Sequence, residues 1–225
     1  MWLLVTIIVF FSARWICQRT NSPLMNPLLI SLVILIPTLI FFSVPFEQYY
    51  SDNKWINYLL QPAVVALAYP LYEQLPQIRR NWRIIMLACF VGSTFSLLSA
   101  GLIAISLNTE LSLVASLLGK SVTTPIAMEI SKHLGGEPSI AAIMVLIVGL
   151  FGAIMAYPIY GWLNIYHPIA RGLTMGTVSH ALGTATCAEK SSEDAAFSSL
   201  ALVICGVITS ILAPLVFSIL VWLSK

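Results

Sequence analysis

Lys120-Ser121-Val122-Thr123-Thr124-Pro125 puts a cation, three hydroxyls and a proline inside an otherwise apolar region. A buried ammonium at membrane depth is costly even on the gentler insertion scales, so Lys120 must meet a partner, water or an anion. Proline suits the first turn of a helix, where its missing N–H is not needed. A helix starting near Pro125 would aim free N–H groups at whatever Ser121, Thr123 and Thr124 hold, and such helix starts bind carboxylates and phosphates. The chemistry on offer is recognition of a small anion. Two structural alternatives stand beside it. Lys120 could lie in a surface loop between two half-segments, or the hydroxyls could serve only capping and close helix packing. Glu129, one turn beyond Pro125, could neutralise Lys120, carry a coupling proton, or mark the end of the segment.

A second polar run, Gly176-Thr-Val-Ser-His-Ala-Leu-Gly-Thr-Ala185, supplies Ser179, His180, Gly183 and Thr184. Of the three histidines, His180 alone lies well inside an apolar segment. Imidazole titrates near neutrality, so proton coupling is open to it, as is the role of a satisfied buried hydrogen bonder. Gly183 permits close backbone approach, to a solute or to another helix. A third run, LLQPAVVALAYPLYEQ at 59–74, has two helix-breaking prolines, Pro62 and Pro70. Its Gln61, Tyr69 and Glu73 are candidate cavity-lining groups, Glu73 being equally suited to a membrane interface.

No catalytic set emerges. Ser179 and His180 are consecutive, and neighbouring helix residues do not face each other. No carboxylate pair or metal-ligand spacing is present, so we expect no enzyme, no cofactor and no metal. The four cysteines (Cys17, Cys89, Cys187 and Cys205) form no CxxC pair and read as small core residues.

The elements that must hold these residues are membrane segments. The chain of 225 residues is 59% hydrophobic and 9% charged, against roughly a quarter charged in soluble domains. Its formal charge of +2, without a basic run, gives no sign of nucleic-acid binding. Candidate segments are 1–13, 28–46, 58–75, 84–107, 111–133, 138–162, 171–188 and 195–223. The first is expected to be a retained span rather than a removed signal peptide. Segments 58–75, 111–133 and 171–188 are the polar, interrupted ones, either irregular crossings or re-entrant hairpins. The expected fold is an all-α polytopic membrane protein of about eight segments, in a single domain over 1–225. If all eight cross with the N-terminus outside, Arg14, Arg19, Arg79, Arg80, Arg83, Lys132 and Lys190 lie inside, and Lys54, Arg171 and Lys225 outside.

Three stretches share a rhythm of a broken or small-residue segment, a charged turn, then a long span with glycine. Pro70 leads to Arg79-Arg80 and Gly92, Pro125 to Lys132-His133 and Gly149, and Gly183 to Glu189-Lys190 and Gly206. Transporters built from repeated halves show symmetry of this kind, and chance likeness among small residues also produces it.

The same stretches, together with NPLL at 26–29, KSVTTPIAM at 120–128, ARGLTMGTVSHALGTATCAE at 170–189 and AFSSLALVICGVITSILAPL at 196–215, resemble the LrgB/CidB family over nearly the whole chain. That resemblance implies a bacterial inner-membrane protein working with a small LrgA/CidA-type membrane partner, with a homo-oligomer also open. It implies one of two functions. One is transport of small monocarboxylates, because a plastid relative is a glycolate/glycerate translocator and bacterial relatives are linked to pyruvate. The alternative is an antiholin- or holin-like modulator of murein hydrolase export and lysis. In the transport reading Lys120, Ser121, Thr123, Thr124 and Pro125 meet the carboxylate. Ser179, His180, Gly183 and Thr184 close the site, and His180 or Glu129 carries a proton.

Overall fold

The computed structural model describes residues 1–20, 27–56, 58, 59, 62, 72 and 75–224, and the helices account for nearly all of them. The expected segment 58–75, with Gln61, Tyr69 and Glu73, falls largely outside the described residues. The chain divides into two compact units, 1–67 and 68–225.

In the first unit, α1 (Trp2–Thr20) packs against α2 (Pro27–Phe41) and the short α3 (Phe46–Asp52). Asp52 Oδ2 accepts from the Trp2 backbone N–H at 3.0 Å, and Thr6 and Tyr49 share a hydroxyl hydrogen bond of 2.9 Å. α1 runs beyond the expected 1–13 and carries Arg19, whose guanidinium stacks 4.2 Å from the Trp15 ring.

The second unit contains α4 (Leu75–Ser106), α5 (Leu111–Leu118), α6 (Thr124–His133), α7 (Pro138–Trp162), α8 (Pro168–Lys190) and α9 (Ser192–Leu223). Pro76 sits in the first turn of α4, and Arg79, Arg80 and Arg83 follow inside the helix rather than in a loop. Arginine is a good helix former, so the charged run extends the span instead of ending it. At 32 residues α4 is about 48 Å long, more than the ~30 Å hydrocarbon core requires. α9 begins at Ser191, whose side chain accepts from the Asp194 N–H, with Glu193 and Asp194 in a first turn where the helix dipole favours acids. Among the described residues, four helical stretches are long and apolar enough to cross a membrane: Trp2–Arg19, Leu75–Ser106, Pro138–Trp162 and Ser192–Leu223.

The segment expected at 111–133 is a helical hairpin. α5 and α6 have 8 and 10 residues, about 12 and 15 Å, too short to cross. The Ser116 and Ser131 hydroxyls meet at 3.4 Å, and a Cβ on Gly119 would stand 2.8 Å from Ala127 Cα. These pairs fix antiparallel arms, and only glycine admits the approach at 119. As the proline predicts, α6 starts at Thr124 with Pro125 in its first turn.

The segment expected at 171–188 also folds back. His180 has φ 42° and ψ −134°, outside any helical region, and splits α8 into arms 168–179 and 181–190. The Arg171 guanidinium and the Lys190 ammonium lie 5.9 and 5.0 Å from the centroid of one ring, Tyr157. In a straight helix those residues would be about 28 Å apart. A Cβ on Gly183 would stand 2.7 Å from the Met175 side chain, which repeats the same antiparallel register.

The two hairpins enter from opposite ends. The first has its base at Glu110 and Glu137, beside the C-terminal end of α4. The second has its base at His167 and Ser191, where Gly172 packs against the Asp194 carbonyl near the start of α9. α7 runs between the two bases, so α4 plus its hairpin and α7 plus its hairpin have inverted topology. This corrects the all-crossing count. Lys132 lies at one end of the unit, while Arg79, Arg80, Arg83, Arg171 and Lys190 gather at the other.

Candidate functional site

The tip of the first hairpin places Lys120 against the middle of α4. The Lys120 ammonium donates to Ser96 Oγ at 2.7 Å and reaches the Ser96 carbonyl and Ser121 Oγ at 3.4 Å. Ser96 and Ser121 share a further hydroxyl hydrogen bond of 3.0 Å. Ser96 lies at the centre of the apolar stretch 84–107, so this cation stands at mid-depth of a span. It is half-buried, and no carboxylate pairs with it among the described residues.

A cavity of about 420 Å³ opens beside it. Ala88, Gly92, Phe95, Ser96 and Ser99 of α4 line one wall, Lys120 and Ser121 the tip, Val148 of α7 another, and Leu173, Thr174, Thr177 and Val178 of α8 the last. The polar groups available to a ligand are one ammonium and the hydroxyls of Ser96, Ser99, Ser121, Thr174 and Thr177. Ser99, Thr174 and Thr177 also donate to carbonyls one turn back in their own helices, which leaves the Ser99 and Thr174 oxygens able to accept, while Thr177 Oγ1 already accepts from Cys205 Sγ at 3.3 Å.

The sequence-derived residues divide around this cavity. Lys120 and Ser121 line it. Thr123 is the extended residue before α6, and Thr124 and Pro125 are exposed on the first turn of that helix. Ser179, His180, Gly183 and Thr184 are buried at the other hairpin tip, away from the cavity: Ser179 and His180 face α7, Thr184 faces α9, and Gly183 faces the other arm of the hairpin. His180 Nε2 pairs with the Val145 carbonyl at 2.9 Å. The Thr184 hydroxyl meets Ser198 Oγ at 2.7 Å. Ser179 Oγ, buried with no hydrogen-bond partner among the described residues, occupies the space that a side chain on Gly152 would need. Glu129 is exposed, paired with His133 Nε2 at 3.1 Å, and borders a separate hollow with Ser210 and Pro214.

Ser96, Ser99, Thr174 and Thr177 were not singled out from the sequence. The hydroxyls of Ser99, Thr174 and Thr177 donate within their own helices, and the partners of Ser96, namely Lys120 and Ser121, lie 24 and 25 residues away in sequence. A signal was present in the spacing of Gly92, Ser96 and Ser99, which puts small and polar groups on one face of α4.

Comparison with known proteins shows the family of the chain. The profile described as LrgB-like family matches residues 6–219. An uncharacterised protein of Haemophilus influenzae is 44% identical over 216 residues, covering 96% of this chain and 94% of its own. The uncharacterised protein YxaC of Bacillus subtilis is 35% identical over 98% of this chain and 94% of its own. The holin-like protein CidB of Staphylococcus aureus is 32% identical over 94% of this chain and 93% of its own. No solved structure matches.

Proposed function

This chain belongs to the LrgB-like family of membrane proteins, and from that premise we propose that it carries small organic monocarboxylates across the bacterial inner membrane. The observation that supports this most is the Lys120 ammonium at mid-depth, ringed by hydroxyls and with no carboxylate partner among the described residues, in a cavity with room for a glycolate-, lactate- or pyruvate-sized solute. Lys120 and Ser121 meet the carboxylate. Ser96, Thr174 and Thr177 hold the 2-hydroxy or 2-oxo group. Thr123, Thr124 and Pro125 fix the tip that carries Lys120. Opposed hairpins at mid-depth are the arrangement by which repeat-built transporters expose one site to either side in turn. Ser179, Gly183 and Thr184 let the second hairpin pack and shift against α7 and α9, and buried His180 is the candidate for a coupling proton. A small LrgA/CidA-type protein is the proposed partner, and the whole chain 1–225 acts as one LrgB-like domain, singly or as a homo-oligomer.

The test is uptake of labelled glycolate, lactate and pyruvate into proteoliposomes, with and without such a partner and with a pH gradient. Saturable uptake lost in Lys120→Met supports the reading. Leakage of unrelated dyes without saturable uptake supports the second reading, a holin-like modulator of lysis, which the name of the Staphylococcus aureus relative favours.

A further inference from the structure

A second hollow, of about 790 Å³, lies at the arginine-rich end of the unit, between the start of α4 and the start of α8. Its polar lining is Gln77, Arg80, Asn81 and His167, with Thr174 at the inner end. It shares Ala88, Leu173 and Thr174 with the Lys120 cavity, so the two hollows adjoin along one groove between α4 and α8. The formal charges along that groove are Arg80 at the mouth and Lys120 at the inner end, with no carboxylate among the described lining residues. Arg80 is exposed and makes no hydrogen bond or ion pair with a described residue. His167 Nδ1 accepts from the Ile169 N–H at 3.3 Å, which leaves Nε2–H of the neutral ring as a donor.

We propose that Arg80, with His167 and the Gln77 and Asn81 amides, forms an outer binding station for carboxylates, from which the anion passes along α4 and α8 to Lys120. The proposal rests on the transport reading for its solute. A guanidinium binds a carboxylate through two parallel N–H donors, and an open groove of one sign concentrates anions at its inner end. The clustering of Arg79, Arg80, Arg83, Arg171 and Lys190 makes this end cytoplasmic by the positive-inside rule, so the groove opens inward in this conformation.

The test uses a thiol at position 88, which both hollows share. Ala88→Cys is introduced with Cys17→Ser, the other cysteines being buried. The full chain is reconstituted in phosphatidylcholine alone. Anionic and cationic methanethiosulfonates of similar size are compared, each rate normalised to free cysteine. The expected result is faster anionic labelling, with the anionic-to-cationic ratio falling roughly threefold to tenfold in Arg80→Gln and unchanged in Lys132→Gln at the opposite end. Millimolar glycolate should protect the thiol, and less so in Arg80→Gln. A ratio indifferent to Arg80, or protection by short-chain phosphatidylglycerol but not by glycolate, would overturn the station. If the ratio and protection behave as expected while reconstituted protein takes up no carboxylate, the station stands and the transport reading falls. Uptake with an indifferent ratio is the reverse.

Discussion

The Lys120 ammonium donates to the Ser96 hydroxyl at 2.7 Å, joining the tip of a half-length hairpin to the middle of α4. The chain thereby holds a cation at a depth where lipid would not tolerate it, and no carboxylate among the described residues neutralises it.

Replacing Lys120 with methionine keeps the apolar stem and removes the charge. Glycolate uptake should fall about tenfold to a hundredfold in kcat/KM, the scale of one charged hydrogen bond. Stability in detergent should stay level or rise, because a partly buried cation no longer needs solvating. Lost stability together with lost uptake would make Lys120 a structural residue.

The hairpins make a prediction about sidedness. If every segment crossed, Lys132 and Lys190 would lie on the same side. With both hairpins folded back they lie at opposite ends of the second unit. An impermeant thiol reagent on intact cells should label Lys132→Cys, and label Lys190→Cys only after permeabilisation. Equal labelling of both from one side would refute the fold-back.

The first hairpin was partly legible, because Pro125 and a stranded lysine mark a break that lipid forbids unless protein covers it. The second was not. Its reversal occurs at His180, a residue type that gives no local warning of a positive φ, and the ring is held by the Val145 carbonyl, 35 residues away in sequence. Similarly, the hydroxyls of Thr174 and Thr177 are satisfied within their own helix, so nothing local marked them as a cavity wall. The site's charge was visible in the sequence, while its walls depended on packing between distant helices.

At His180 the backbone itself is testable. Its φ of 42° with ψ −134° is a conformation that glycine adopts far more easily. His180→Gly should be more stable than His180→Ala by about 1–3 kcal/mol, although both lose the same ring. Chemical unfolding in mild detergent measures the difference. No gap, or the reverse order, would mean that the chain does not reverse there.

The same ring packs on α7. A methyl at Gly149 would stand 2.7 Å from the His180 ring. Gly149→Ala should cost about 1–3 kcal/mol. Made in a His180→Ala background it should cost about 1 kcal/mol less, which is the coupling between two groups in contact. Additive costs would separate the ring from α7.

Asp194 gives the sharpest test of the second hairpin's base. Its side chain is 1% exposed, accepts from Tyr157 Oη at 2.8 Å, and has no ion pair among the described residues. Arg171 and Lys190 lie against the Tyr157 ring instead. Tyr157→Phe therefore leaves a buried carboxylate short of its hydroxyl donor and should cost about 1–3 kcal/mol. Asp194→Asn keeps an oxygen for Tyr157 and sheds a charge that is costly to bury, so its cost should be the smaller of the two. In the Asp194→Asn background, Tyr157→Phe should lose much of its effect, because an unpaired neutral amide is cheaper to bury than an unpaired carboxylate. Thermal unfolding of the four proteins decides it. An Asp194→Asn variant less stable than Tyr157→Phe would mean that the negative charge itself holds the base together, with Arg171 and Lys190 as its long-range partners.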